Sequence, residues 1–396
     1  MSDLKENLHS EYMVLNMGPS HPAMHGTVKF TLTLDGETII KMKVDIGYLH
    51  RGFEKMCESV TWTNVFPYTD RLNYCSAIMN NIGYALAVEK LLDIEVSERC
   101  KYIRIVTNEL SRISDHYTNI AAAALELGAL TAFIYFVEAR EIVWDLLEKV
   151  CGARLTSTYI RIGGLMCDLP PGFDDDLKTA YPKLDDLFDD VDKLLTKNRI
   201  FLDRMRDTGA ISAENAISWG FTGPCLRACG VNYDVRKAHP YSAYEKMDFD
   251  IPLGTVGDNF DRYLVRMEEI KQSLKIIKQA MREMPEGPIN VDNPYMRQPS
   301  KQDVYARMEE MIAHFKMTID GLKPPVGEVY FPTEAANGEL GFYLVSDGSG
   351  KPYKCRVRPP SFTMTAAMEE IVQGQMLADI VPTFDMINMI GGECDR

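Results

Sequence analysis

"IAAAALELGALTAFIYFV", residues 120–137, is the most apolar stretch of the chain, broken only by Glu126, Gly128 and Thr131. Its length lies at the bottom of the range for a membrane-spanning helix. The flanking helical patterns continue without a basic boundary, and no other segment offers a candidate span. The stretch therefore reads as two buried helices joined near Gly128, which makes the centre of the protein a helical bundle. Glu126 is then a carboxyl in an apolar setting. An unpaired buried charge is costly, so a partner or a bound proton is expected there.

Upstream, Ile103, Val106, Leu110, Ile113, Tyr117 and Ile120 form a steady helical seam, and downstream Phe133, Val137, Val143, Leu147 and Val150 continue it. Arg140 interrupts the second stripe and is expected to meet a buried acid. Asp70 is placed to cap a helix running to about Leu92, with Arg71, Tyr74 and Ile78 on one face. Residues 177–195 give a helix with an acidic outer face. Asp258 opens a long helix with Leu264, Met267, Ile270, Leu274, Ile277 and Met281 inward, ended by Pro285 and Gly287. Another helix is expected over residues 304–317.

The ends of the chain differ from its middle. Residues 12–48 alternate as strands, with Phe30, Leu32 and Leu34 on one face and Asp35-Gly36 as a turn. Residues 328–331, 340–346 and 353–357 are strand-like, with Asp347-Gly348-Ser349-Gly350 as a hairpin turn. The expectation is an α+β fold: a central helical bundle, an N-terminal antiparallel sheet and a C-terminal hairpin region. Its parts are 1–52, a β-sheet domain with a histidine loop; 53–285, the bundle; and 286–396, an α+β region.

Two glycine-bracketed turns carry the local signs of chemistry. Gly18-Pro19-Ser20-His21-Pro22-Ala23-Met24-His25-Gly26 cannot be a helix, because its prolines bias the preceding residues away from that conformation. It presents two imidazoles, which titrate near neutral pH, on a tight turn. Polar turn residues bonded to backbone are the alternative. Gly47-Tyr48-Leu49-His50-Arg51-Gly52 is the second such turn.

The 396 residues carry a net charge of −14, and no basic run is interleaved with aromatics, which argues against nucleic acid. The nine cysteines form no C-x-x-C pair and read as reduced thiols, with Cys225 and Cys229 structural. The N-terminus lacks an apolar signal region or an Arg-rich transit pattern.

Six ordered motifs, "MGPSHPAMHG", "IGYLHRGFEK", "PYTDRLNY", "CGARLTSTYIRIGG", "ELGFYLVSDGSGKPYKCRVRPPSF" and the terminal "DR", resemble the D-subunit family of respiratory complex I, NADH-quinone oxidoreductase, whose members form its quinone pocket. The resemblance runs from about Tyr12 to Arg396. That family is in turn similar to the large subunit of nickel–iron hydrogenases, which hold metal with two C-x-x-C pairs. The matching places, Arg71–Ser76 and Met389–Glu393, lack both pairs, and Cys75 and Cys394 fall out of frame. The resemblance thus implies a hydrogenase-like body with no metal bound by this chain.

It also implies a quinone, ubiquinone for example, reduced by electrons from an iron–sulfur cluster in a partner protein, within an NADH-oxidising, proton-translocating complex. His25 and Tyr74 would hold the headgroup and supply protons, with Met24 lining the pocket. Glu126 stands where the family has an aspartate beside the histidine. Arg51 matches an arginine near the partner's cluster, and Thr156 stands where members often carry a histidine that makes the cluster potential pH-dependent. The implied partners are the cluster-bearing B subunit, the C and I subunits, and the membrane-embedded H subunit. The implied location is peripheral, on the cytoplasmic side of the cell inner membrane. The chain would be inactive alone. A non-catalytic scaffold and a metal-bearing hydrogenase remain the competing readings.

Overall fold

The computed structural model describes residues 12–22, 27–293, 296 and 299–396. An antiparallel sheet opens the chain: β1 (Met13–Met17), β2 (Lys29–Asp35) and β3 (Thr38–Asp45), in that order across the sheet. Phe30, Leu32 and Leu34 alternate inward, and Gly36 turns the chain with φ +61° between β2 and β3. The histidine loop joins β1 to β2 at one end of this sheet; Met24 and His25 lie outside the described residues.

The bundle follows: α1 (Ala77–Leu92), α2 (Glu98–Glu126), α3 (Leu130–Cys151), α4 (Phe173–Leu195) and α5 (Asn259–Glu283). Ser97 caps α2 by accepting from the Cys100 N–H at 3.2 Å, and Asp258 caps α5 by accepting from the Asp261 N–H at 2.8 Å. The apolar 120–137 stretch is two helices, parted at Gly128 with φ +82°. Among the described residues no helix is long and apolar enough to cross a membrane. Helix α2 packs against α3 on one side and α5 on the other, so nearly all of its circumference is buried.

Several local expectations fail. Asp70 caps no helix start; its buried side chain takes a hydrogen bond from Thr158. The helix begins only at Ala77, because Asn73 caps a single tight turn over Tyr74–Ser76 and Ser76 is non-helical. Among the described residues Arg140 meets no buried acid: its guanidinium stacks on the Trp144 ring at 4.2 Å, with the partly exposed Glu141 at 3.9 Å. Leu264 faces solvent. The 304–317 helix is two, α6 (Lys301–Ala306) and α7 (Met308–Ile319), broken where Arg307 turns extended.

The C-terminal region holds a second antiparallel sheet, β4 (Gly327–Ala335), β5 (Gly338–Ser346) and β6 (Lys354–Arg358), then helices α8 (Pro360–Ile371), α9 (Ile380–Ile387) and α10 (Gly391–Cys394). Helix α1 lies on β4 and β5. The first sheet buries its apolar face against α8 and α9, so the two ends of the chain share one core, with Phe30 edge-on to Phe384 at 5.4 Å.

Phe30→Ala is expected to cost about 3–5 kcal/mol, the usual loss for deleting a buried aromatic ring. Chemical denaturation checks this; a loss below about 1 kcal/mol would contradict a shared core.

Candidate functional site

Three chain segments meet at a cavity of about 300 Å³. Tyr74 and Cys75 come from the turn before α1. Thr118, Asn119 and Ala122 come from α2. Phe384, Asp385, Asn388, Met389 and Ile390 come from α9 and the loop after it.

Asp115 of α2 ties these segments together. It is buried, and its Oδ2 accepts from Asn73 Nδ2 and from Ser76 Oγ, each at 2.8 Å. Its Oδ1 accepts from Asn388 Nδ2 at 2.9 Å. One carboxyl thus holds the residues on both sides of Tyr74 and the C-terminal loop that faces it. Asn388 has φ +57°, a conformation asparagine tolerates better than most residues. Its carbonyl accepts from Asn337 Nδ2 at 3.0 Å, anchoring the loop to the β4–β5 turn.

The local chemistry follows from burial. Tyr74 is half-buried, and loss of solvent, with Cys75 and Asp115 nearby, pushes its hydroxyl up to about 12. It therefore keeps its proton at neutral pH and can act as a donor. Burial likewise raises the Cys75 thiol, which remains protonated. Asp385 is 5% exposed, and desolvation, then the neighbouring Glu126, hold its carboxyl well above the usual range. Glu393, buried beneath the site, is pushed up to about 7 by desolvation; its Oε1 accepts from the Ser361 N–H at 2.9 Å.

The second glycine-bracketed turn and the terminal "DR" are one structure. Asp395 accepts from the Gly47 N–H at 2.9 Å and the Leu49 N–H at 2.8 Å, and its carbonyl lies 3.1 Å from His50 Nδ1. Arg51 Nη2 donates to the Arg71 carbonyl at 2.7 Å, beside the Tyr74 turn. Gly392 completes the convergence: a Cβ there would meet the Arg71 oxygen at 2.4 Å and the Leu72 oxygen at 2.7 Å. Arg51 itself is exposed and lines a largely apolar depression of about 410 Å³ with Phe53, Met56 and Tyr68.

Of the sequence-derived residues, Tyr74 lines the cavity; Glu126 does not line it, but its carboxyl acts electrostatically on Asp385, which does. Tyr74 sits on a capped turn rather than a helix face. Thr156 is half-buried in the loop after α3. Cys75 lines the cavity, whereas Cys394 lines another, of about 270 Å³, with His50 and Asp395. His25 and Met24 lie outside the described residues.

The sequence reading missed Asp115, Asn388 and Asp385. It also missed a buried ionic network behind Asp115. There Glu269 accepts from Arg227 and lies 2.7 Å from His116 Nε2, and Arg227 reaches Glu334 at 2.8 Å. Arg236 joins Asp234 at 2.7 Å and Glu109 at 3.3 Å. The one available signal was the density of polar side chains within the α2 seam, where Asn108, Glu109, Arg112, Asp115, His116 and Asn119 interrupt it.

A helical bundle flanked by two small sheets, with a cavity between a turn before α1 and the C-terminal loop, defines a hydrogenase-large-subunit-like protein. Residues 126–396 match the family described as respiratory-chain NADH dehydrogenase, 49 Kd subunit. The chain is 54% identical over 394 residues to the D 1 subunit of NADH-quinone oxidoreductase from Anaeromyxobacter dehalogenans, covering all of this chain and 92% of that one. It is 53% identical over 398 residues to the D subunit from Myxococcus xanthus, covering all of this chain and 95% of the relative. It is 50% identical over 389 residues to the C/D subunit from Bdellovibrio bacteriovorus, covering 98% of this chain and 70% of that one. The chain belongs to the D-subunit family of NADH-quinone oxidoreductase, respiratory complex I, and so works alongside the other subunits of that complex.

Asp115→Ala would leave Asn73 Nδ2 and Ser76 Oγ buried without an acceptor, each worth about 1–3 kcal/mol, and would leave Asn388 Nδ2 with Asn337 alone. A loss of at least about 2 kcal/mol is expected, seen as a lower unfolding temperature; wild-type stability would show that Asp115 does not tie these segments.

Proposed function

We propose that this chain binds the quinone of its complex, with the headgroup seated against Tyr74. One observation carries the reading: a tyrosine that keeps its proton at neutral pH faces a partly apolar cavity bounded by α2 and the C-terminal loop. A quinone oxygen gains negative charge as it is reduced, and a neutral hydroxyl aimed at it stabilises that charge and can release a proton to it. His25 is the proposed second donor and Glu126 its proposed carboxyl partner, a pairing that favours the charged imidazole. Met24 would line the same pocket. The electrons would come from an iron–sulfur cluster in the neighbouring B subunit, and the exposed Arg51 guanidinium, held by the Arg71 carbonyl, would favour that cluster's reduced form.

The wider assignment is one component, inactive alone, of a proton-translocating NADH:quinone oxidoreductase. Its proposed position is peripheral, on the cytoplasmic side of the inner membrane, against the B, C and I subunits and the membrane-embedded H subunit. The family membership and the want of a membrane-crossing helix among the described residues support it.

Tyr74→Phe should leave the complex assembled but reduce quinone reductase turnover by about 10²-fold or more, the usual worth of a positioned proton donor. Unchanged turnover and unchanged quinone affinity would favour a scaffold without a role at the quinone. Because Thr156 cannot titrate, the potential of the neighbouring cluster should be nearly flat with pH; a redox titration with a full proton-linked slope would contradict this.

A further inference from the structure

The Tyr74 hydroxyl can give up one proton per turnover and must then recover it. Asp385 is placed to return it. Asp385 lines the same cavity as Tyr74, the residue is only 5% exposed, and its Oδ2 is buried without a hydrogen-bond partner. An unpartnered buried polar atom costs about 1–3 kcal/mol, so its position calls for a reason.

The facing helix supplies one. Asn119, Ala122 and Glu126 of α2 are spaced to share one face. Asn119 and Ala122 line the cavity, and Asn119 Nδ2 donates to the Asp385 carbonyl at 2.5 Å, fixing α9 against that face. Glu126, on the same face near the end of α2, brings a second carboxyl beside Asp385. Burial and the nearby Glu126 carboxyl both disfavour ionisation of Asp385, which therefore keeps its proton. Glu126 is half-buried and touches solvent, whereas Asp385 is buried.

Among the described residues, the other elements packed on α9 offer Asp385 no cation. From α5, Arg262 bonds the Gly209 carbonyl at 2.7 Å and Asn259, and Arg266 is directed to Cys225 Sγ at 3.8 Å. From α8, Glu369 accepts from the Val44 N–H and Glu370 from Trp219, both away from the cavity. Asp115 is occupied by Asn73, Ser76 and Asn388.

We propose that Glu126 and Asp385 form the proton entry of the cavity: solvent protonates Glu126, Glu126 passes the proton to Asp385, and Asp385 reprotonates Tyr74. This rests on the quinone reading above. Conversion of a quinone to its quinol consumes two electrons, from the partner's cluster, and two protons. One proton leaves the Tyr74 O–H, which breaks as the new O–H forms on the quinone oxygen; the other comes from His25. Tyr74 is left as tyrosinate and takes the Asp385 proton. Asp385 is refilled from Glu126 and Glu126 from water, which restores the Tyr74 branch; His25 takes back its own proton from water, so two protons enter for each quinol formed.

The test compares purified complexes carrying Asp385→Asn, Asp385→Glu and Tyr74→Phe, with NADH:ferricyanide activity as a control that needs no quinone cavity. In the Asp385→Asn complex, steady-state quinone turnover should fall at least tenfold with KM within twofold of wild type. The first turnover should stay near the wild-type rate, because Tyr74 starts protonated. Small weak acids should restore part of the loss, and Asp385→Glu should retain most activity. A burst absent from Asp385→Asn, or wild-type steady-state turnover, overturns the proton entry. If Tyr74→Phe is impaired while Asp385→Asn is not, only the proton entry fails; if neither is impaired, the quinone reading fails. Should Asp385→Asn not assemble, Glu126→Gln must show the same burst, and wild-type kinetics there overturns the proposal.

Discussion

The carboxyl of Asp115 is the contact on which the site depends. It sits in the middle of α2, a helix buried on almost all sides, where a carboxyl is tolerated only if its oxygens are satisfied. Asn73, Ser76 and Asn388 satisfy them, and each donor belongs to a segment with little regular structure of its own to hold it. The requirement of one buried group therefore positions the Tyr74 turn and the C-terminal loop against each other. Neither segment has the length or periodicity to choose that position by itself.

The same logic extends across the molecule. Asp395 closes the 47–52 turn by taking its backbone N–H groups, Arg51 grips the Arg71 carbonyl, and Gly392 lets the last helix approach the 71–72 backbone more closely than any side chain would permit. Turns from opposite ends of the sequence thereby form one corner of the fold. The first sheet is held to the C-terminal helices by apolar burial, with Phe30 against Phe384, so the chain ends are locked together both by packing and by polar capping.

Behind this corner lies a network of buried charges in which Glu269, Glu334, Glu109 and Asp234 are matched by Arg227, Arg236 and Arg112. Burial of such groups contributes little net stability compared with apolar packing, and loss of one partner is severe. Their value is in specifying which helix faces which: α2, α5 and the β4–β5 sheet are brought into a single register. The cavity is then a void between elements whose mutual positions are set elsewhere, and its wall includes Asp385, a buried acid whose ionisation is disfavoured by burial and by a second acid, Glu126.

Much was legible in the sequence because it is a matter of local periodicity. The α2–α3 break at Gly128, the Asp258 cap, the β2–β3 hairpin at Gly36 and the three C-terminal strands all follow from spacing and turn chemistry. Tyr74 was recognisable from the motif that bears it, but its setting was not: nothing local distinguishes a helix started by Asp70 from a turn capped by Asn73. Arg140 was misread because an arginine in an apolar stripe can stack on an aromatic as well as meet an acid. The roles of Asp115, Asn388 and Asp385 were decided only by tertiary structure. Each owes its character to groups far along the chain, and burial, which converts an ordinary carboxyl into a hub or a held proton, is a property of the assembled neighbourhood rather than of the residue.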